Sequence, residues 1–247
     1  MYLSEYKIAK NIASDTVRML QQNFLSNPEV LNNHGKDIKT EADFAAHEYI
    51  VEGLTTTGIP IISEEGNNTE FNLSDHQWII DPIDGTFNLS RGFGMSAVSI
   101  SLWDKGVPVL GVIYNLFSNE VFNSLQQCGS FKSDHKISVS RTKNKNEAVL
   151  GTGFPSGRDY SKKSLEKFII NVQNYKKVRM LGSAALMLAY VSCGFFDVYY
   201  EEDIYIWDVA AGLSLVSEAG GAYVITPGDS VFKYNVIASN NVLIDLV

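Results

Sequence analysis

At 247 residues, with 45% hydrophobic and 19% charged content, the chain has the composition of a globular protein with one large core or two closely packed halves. A formal net charge of −8 argues against nucleic acid or an anionic membrane surface as the main partner. The two cysteines, Cys128 and Cys193, lie far apart and form no CxxC pattern, so reduced core thiols in a cytoplasmic protein are expected. Glu5, Lys7, Lys10 and Asp15 near the N-terminus lead to the expectation that this stretch is not a signal peptide. The longest uncharged run, Leu181 to Phe196, is too short and too interrupted by Gly182 and Gly194 to span a membrane.

Residues 3 to 24 place Leu3, Tyr6, Ala9, Ile12, Ala13, Val17, Leu20 and Phe24 at helical spacing, which predicts an amphipathic helix. Asn27 to Lys39, polar and punctuated by Pro28 and Gly35, reads as a mobile loop. A second helix begins at Thr40, with Phe44, His47, Val51 and Leu54 on one face. Ile59 to Ser63 is a short strand running into Glu64 and Glu65. Trp78, Ile79 and Ile80 form a buried strand that Pro82, lacking an N–H, is expected to end at Asp81. Asp84, Gly85 and Thr86 open a short helix whose bare amides suit an anion. Val98, Ile100 and Leu102 alternate with Ser99 and Ser101, the signature of a half-buried strand. Strands at Val107 to Tyr114 and Val121 to Leu125 continue an antiparallel meander, extended weakly to Val139.

Past a charged linker from Arg141 to Glu147 the texture changes. A strand from Val149 to Phe154, helices at Lys162 to Val172 and Ser183 to Cys193, and a strand from Phe195 to Tyr200 follow. A helix from Asp208 to Ala219 stops at Gly220-Gly221, and strands at Ala222 to Ile225 and Asn235 to Ala238 close the chain. Strand and helix alternate, so this half reads as α/β.

Acidic residues recur at element ends. Asp43 sits three residues after Thr40 and serves equally as the second half of a capping box. Asp208 suits an N-cap, and Gly182-Ser183-Ala184 the start of a helix without a ligand. Glu64-Glu65 and Glu201 to Asp203 have an alternative as solvated charges. Asp81-Pro-Ile-Asp-Gly-Thr86 is different: two carboxylates held close on a stiff turn repel unless a cation or proton intervenes. If the anion beside them is a phosphate, an acidic protein needs metal ions to attract it.

Trp78-Ile-Ile-Asp-Pro-Ile-Asp-Gly-Thr86 resembles the first signature of the inositol monophosphatase family, in the lithium-sensitive phosphatase superfamily that includes fructose-1,6-bisphosphatases and bisphosphate nucleotidases. Trp207-Asp-Val-Ala-Ala-Gly212 with Glu218-Ala-Gly-Gly221 resembles the second, Ser63-Glu-Glu65 the glutamate motif, and Asp37-Ile-Lys-Thr-Glu-Ala-Asp43 the early Asp-x-x-Thr-x-x-Asp. Order and spacing agree from about residue 5 to residue 240.

The resemblance implies an α/β (α+β) fold, a layered αβαβα sandwich. An N-terminal α+β half (1–142) and a C-terminal α/β half (143–247) would form one catalytic unit. It implies hydrolysis of a phosphate monoester by direct attack of a metal-activated water. Glu64, Asp81 and the carbonyl of Ile83 would hold one Mg²⁺, Asp81, Asp84 and Asp208 a second, and Glu64 a looser third. Mn²⁺ would substitute and Li⁺ inhibit. The oxygen-only donor set independently suits Mg²⁺ or Mn²⁺ over Zn²⁺. Glu64 and Thr86 would orient the water, with Asp43 aiming Thr86. The amides of Gly85 and Thr86 would bind phosphate, helped by the dipoles of the helices starting near Ser183 and Asp208. Asp84, Asp208, Glu201, Gly182, Ser183 and Ala184 would line the pocket for a small phosphorylated polyol or sugar. Phe87 departs from the commoner Thr and resembles dual-activity members that also accept fructose 1,6-bisphosphate. Phe87-Asn88 in place of Lys-Glu counts against a bisphosphate nucleotide. A homodimer is the family habit, and a regulatory protein that keeps the fold without catalysis is the non-enzymatic alternative.

Overall fold

A computed structural model of the chain describes residues 2–25, 30–34, 37–154 and 159–244. The N-terminal elements are α1 (Leu3–Asn23), β1 (Val30–His34), β2 (Asp37–Thr40), α2 (Glu41–Thr55), β3 (Ile61–Ser63), β4 (Gln77–Asp84), α3 (Thr86–Ser90), β5 (Ala97–Asp104), β6 (Val107–Asn115), β7 (Val121–Leu125), β8 (Gly129–Lys132) and β9 (His135–Ile137). After a 3₁₀ turn at Lys145–Glu147 come β10 (Val149–Thr152), α4 (Lys162–Val172), β11 (Lys177–Arg179), α5 (Ala184–Ser192), β12 (Val198–Tyr205), α6 (Ile206–Glu218), β13 (Gly221–Pro227) and β14 (Lys233–Asn240).

Apolar stripes stack these elements in five layers. In α1, Ala9, Ile12, Ala13, Val17 and Leu20 recur every three or four residues and are buried. They meet α2 and one face of a seven-stranded sheet, ordered β3 to β9, in which only β3 and β4 run parallel. The other face of that sheet rests on α5 and α6 through Ile113, Phe122, Ala185, Leu186 and Leu215. Gly111 in β6 permits the closest approach, since a Cβ there would sit 2.5 Å from the carbonyl of Ala211 in α6. A five-stranded sheet, β11-β10-β12-β14-β13, covers the far side of α5 and α6, and α4 closes the stack through Phe168 and Val172. This is the expected αβαβα sandwich.

Several local expectations are corrected by packing. Asn27 to Lys39 is not a featureless loop, because β1 and β2 pair antiparallel across it; positions 27–29, 35 and 36 lie outside the described residues. In α2 the buried face is Ala42, Asp43, Ala46, Ile50 and Leu54, while Phe44 is exposed. Ala42 and Ala46 are small enough to pack closely at the start of that face, and Ile50 and Leu54 carry it into the core. Ser99 and Ser101 are as buried as Val98 and Ile100, because helices cover both faces of β5. β4 does not stop at Asp81. It continues through Pro82 to Asp84 by a bulge against β5, where Asp81 pairs with Ser99 and Asp84 with Ala97. β12 likewise runs through Glu201, Glu202 and Asp203, which were expected to follow it. β11 is a strand with no counterpart in the sequence reading. Both cysteines are free, but Cys128 is exposed rather than part of the core. No helix among the described residues is long and apolar enough to cross a membrane.

Candidate active site

The bulge in β4 places the acids. Asp81 Oδ1 accepts the Ile83 N–H at 3.0 Å, which locks the extra residue, and Pro82 has no N–H left to satisfy. The chain then turns at Gly85, whose φ of +87° is a left-handed conformation that L side chains resist. A Cβ there would also meet the carbonyl of Met95 at 2.6 Å. Thr86 opens α3, so its amide has no carbonyl a turn behind it. Asn88 holds the turn in place by donating to the carbonyls of Met95 (2.7 Å), Leu181 (2.8 Å) and Gly182 (3.1 Å).

Three carboxylates from distant parts of the chain converge. Glu64 at the end of β3, Asp81 on β4 and Asp208 on α6 each offer an oxygen, all within 4.8 Å of one another. Asp208 is not an N-cap: Tyr205 caps α6, and Asp208 projects from the helix's first turn. Asp84 commits one oxygen, Oδ2, to α5, accepting from Ser183 Oγ at 2.6 Å and the Ala185 N–H at 2.7 Å. The Ala185 N–H at the start of α5 is thus engaged by Asp84. Ser183 is the N-cap of α5 and also accepts the Leu186 N–H.

The second dyad spans two helix starts. Thr86 Oγ1 lies 2.8 Å from Asp43 Oδ1 and 3.1 Å from the Ile83 carbonyl, so its single proton points toward these acceptors. Asp43 Oδ2 accepts the Thr40 N–H at 2.7 Å and the Thr40 hydroxyl at 2.6 Å. The two readings of Asp43 are therefore compatible: one oxygen caps α2 and the other takes the Thr86 proton.

Crowding of acids in a dry place sets their protonation. Burial pushes Glu64 up to about 8, with Glu65 and Asp43 adding repulsion. Asp81 rises well above the usual carboxylate range through burial and the charges of Glu64, Asp84 and Asp208. Asp208 rises likewise, through burial and then Glu64, Asp84 and Glu201. Asp84 reaches only about 6, because its bonds to Ser183 and α5 amides oppose the effect of burial. Asp43 is raised by burial and restrained by Thr40 and Thr86. Such a cluster is what a divalent cation relieves, and its hard oxygen donors fit Mg²⁺ or Mn²⁺ in kind.

These groups line one cleft of about 220 Å³. Glu64, Asp81, Ile83, Asp84, Gly85, Thr86, Gly182, Ser183, Ala184, Glu201 and Asp208 all face it, and Asp43 stands behind Thr86. Glu201 reaches the cleft from β12 because Gly153 leaves room, a Cβ there falling 2.7 Å from Glu201 Oε1. Ile38, Phe154, Met187 and Ile204 form the apolar part of the wall with Phe87. Ile38, Phe154, Met187, Ile204, Gly153 and Asn88 carry no local signal in the sequence that distinguishes them from ordinary core or turn residues.

Fold and site together define a class, an α/β sandwich whose cleft gathers cation-seeking carboxylates beside a helix start. A model of the inositol monophosphatase family matches residues 2–246, and the chain belongs to that metal-dependent phosphatase family. It is 38% identical over 204 residues to "Nus factor SuhB" of Xylella fastidiosa, covering 81% of this chain and 73% of that one. It is 36% identical over 216 residues to "Fructose-1,6-bisphosphatase/inositol-1-monophosphatase" of Thermotoga maritima, covering 86% and 81%. The solved structure of a Thermotoga maritima inositol monophosphatase superposes with a TM-score of 0.82 at 31% identity, covering 100% of this chain and 95% of the other.

Proposed function

We propose that the protein is a Mg²⁺-dependent phosphate monoester hydrolase, most like an inositol-1-monophosphatase, acting on a small phosphorylated polyol or sugar. The observation that carries this reading is the convergence of Glu64, Asp81 and Asp208 within 4.8 Å, beside Asp84 and the Thr86–Asp43 pair. In this reading Glu64, Asp81 and the Ile83 carbonyl hold one cation, Asp81, Asp84 and Asp208 a second, and Glu64 a looser third. When bound, the cations lower the pKa of water and neutralise charge on the phosphate and the leaving oxygen.

The chain's own residues do the rest. Because the Thr86 proton is committed to Asp43 and the Ile83 carbonyl, the hydroxyl presents a lone pair to the cleft. It accepts one hydrogen of the attacking water, and Glu64 accepts the other. The water oxygen forms the new P–O bond as the ester P–O bond breaks, and the leaving alkoxide takes up the proton that the attacking water gives up. Gly85 and Thr86 amides face the phosphate oxygens, and Glu201 with Gly182, Ser183 and Ala184 receives the polyol. Residues 1–142 and 143–247 act as one catalytic unit, since the cleft takes Asp81 from one half and Asp208 and Glu201 from the other. A cytoplasmic homodimer without a nucleic-acid partner completes the reading.

Two relatives favour alternatives. The Thermotoga maritima relative carries fructose-1,6-bisphosphatase in its name, and the exposed Phe87 at the cleft suits a dual sugar phosphatase. The Xylella fastidiosa relative is named a Nus factor, which favours a regulatory protein that retains the fold. Phosphate release with and without Mg²⁺ from inositol 1-phosphate, fructose 1,6-bisphosphate and a 3′,5′-bisphosphate nucleotide, with Asp84→Asn as control, decides among them. Inositol 1-phosphate is expected to be turned over fastest. Release no faster than the control on every substrate eliminates the enzyme reading.

A further inference from the structure

The turn that carries Glu64 is held by an ion pair. Lys39, on β2, places its ammonium 2.6 Å from Glu65 Oε2, and the Glu65 side chain is only 4% exposed. Glu65 follows Glu64 directly on the turn leaving β3, where the Gly66 N–H closes onto the Ser63 carbonyl. Lys39 therefore ties β2 to the turn that presents Glu64. It also immediately precedes Thr40, whose amide and hydroxyl hold Asp43. One ion pair thus joins the chain segment that carries Glu64 to the one that holds Asp43.

We propose that Lys39 is the resident cation of this site, a positioning residue that neutralises Glu65 and limits how many divalent ions the Glu64 flank takes up. The proposal rests on the metal-dependent reading above but concerns a different quantity, the number and affinity of bound ions. An exposed surface pair would contribute little. This one differs because the carboxylate is buried: without the ammonium, Glu65 would be left as an uncompensated charge. A second carboxylate next to Glu64 would then be available to a divalent ion, the most economical compensation within reach.

The test is Mn²⁺ binding to the whole protein, followed by calorimetry and by the electron paramagnetic resonance signal of free Mn²⁺. Wild type, Lys39→Met, Lys39→Arg, Glu65→Gln and the double variant Lys39→Met/Glu65→Gln are compared, with circular dichroism to report folding. Lys39→Met is expected to bind one more Mn²⁺ per chain, or to tighten the weakest site by on the order of tenfold as a repelling charge is removed. Lys39→Arg, which keeps the charge, restores the wild-type isotherm. The double variant returns to the wild-type ion count, because the gain requires the Glu65 carboxylate. A Lys39→Met isotherm identical to or weaker than wild type overturns the proposal, as does a gain that persists in the double variant. If Lys39→Met does not fold, Glu65→Gln decides: tighter Mn²⁺ binding there overturns the proposal, and unchanged or weaker binding upholds it. Wild type that binds no Mn²⁺ overturns the metal-dependent reading itself, so the two failures are distinguishable.

Discussion

The metal-free protein should lose stability as pH rises through neutrality, and Glu64 sets the size of the effect. Its carboxyl titrates near 8 in the fold against an ordinary 4.5, chiefly because it is buried. A group whose folded pKa is raised holds protons that the unfolded chain has released. Its contribution is complete below the unfolded pKa, about 4.5, and is lost as pH climbs through about 8. One proton corresponds to about 1.4 kcal/mol per pH unit, so Glu64 alone removes about 2 to 3 kcal/mol between pH 6 and 8. For a chain of this length that lowers Tm by roughly 5 to 10 °C. Asp84, near 6, titrates mostly below this window, while Asp81 and Asp208 move in the same direction as Glu64. Divalent cations bind the ionised acids and displace their protons, so Mg²⁺ should stabilise more at pH 8 than at pH 6. Scanning calorimetry in chelator and in Mg²⁺ across this range, on wild type and Glu64→Gln, measures both slopes. The Gln variant cannot titrate and should lose its share of the decline. A metal-free Tm that does not fall with pH, or a Mg²⁺ shift of equal size at both ends, refutes the reasoning.

Thr86→Ala should lower kcat by about 10²–10³-fold, while calorimetric Mn²⁺ affinity stays near wild type and Thr86→Ser retains most activity. A loss under tenfold would remove Thr86 from the step that orients water. Ser183→Ala deletes both the α5 cap and the bond to Asp84, which should cost about 1–2 kcal/mol, read as a lower urea midpoint at unchanged slope. Gly85→Ala forces a Cβ toward the Met95 carbonyl at positive φ and should cost at least about 2 kcal/mol; an unchanged midpoint would mean that the turn relaxes freely. Phe87→Thr should raise the preference for inositol 1-phosphate over fructose 1,6-bisphosphate, measured as a ratio of kcat/KM, and an unaltered ratio would remove Phe87 from substrate choice.

What was legible in the sequence was what is local or carried by order. The individual helices and strands followed from helical and alternating periodicities, their layering came only from the family resemblance, and the acids stood out because Asp81, Pro82 and Asp84 have no inexpensive structural use together. What was not legible depends on a partner distant in the chain. Ser99 and Ser101 look solvent-facing until α6 is laid across β5, and nothing within β5 announces that helix. β4 passes through Pro82 because β5 can pair around a bulge, and that is a property of the pair rather than of the strand. Asp84 was read with the helix it adjoins, α3, yet its carboxylate serves the N-terminus of α5, which Asn88 holds nearby through the carbonyls of Leu181 and Gly182.

The same dependence explains why this site survives its own repulsion. Asp81 secures the β4 bulge, Asp84 secures α5, and Asp43 caps α2, so three acids of the site also do structural work. Glu64 and Asp208 are bonded instead to Asp81, and the three form the carboxylate cluster. The frame is therefore built from acids with backbone partners, while the acids that burial holds above their usual range collect where a cation would sit.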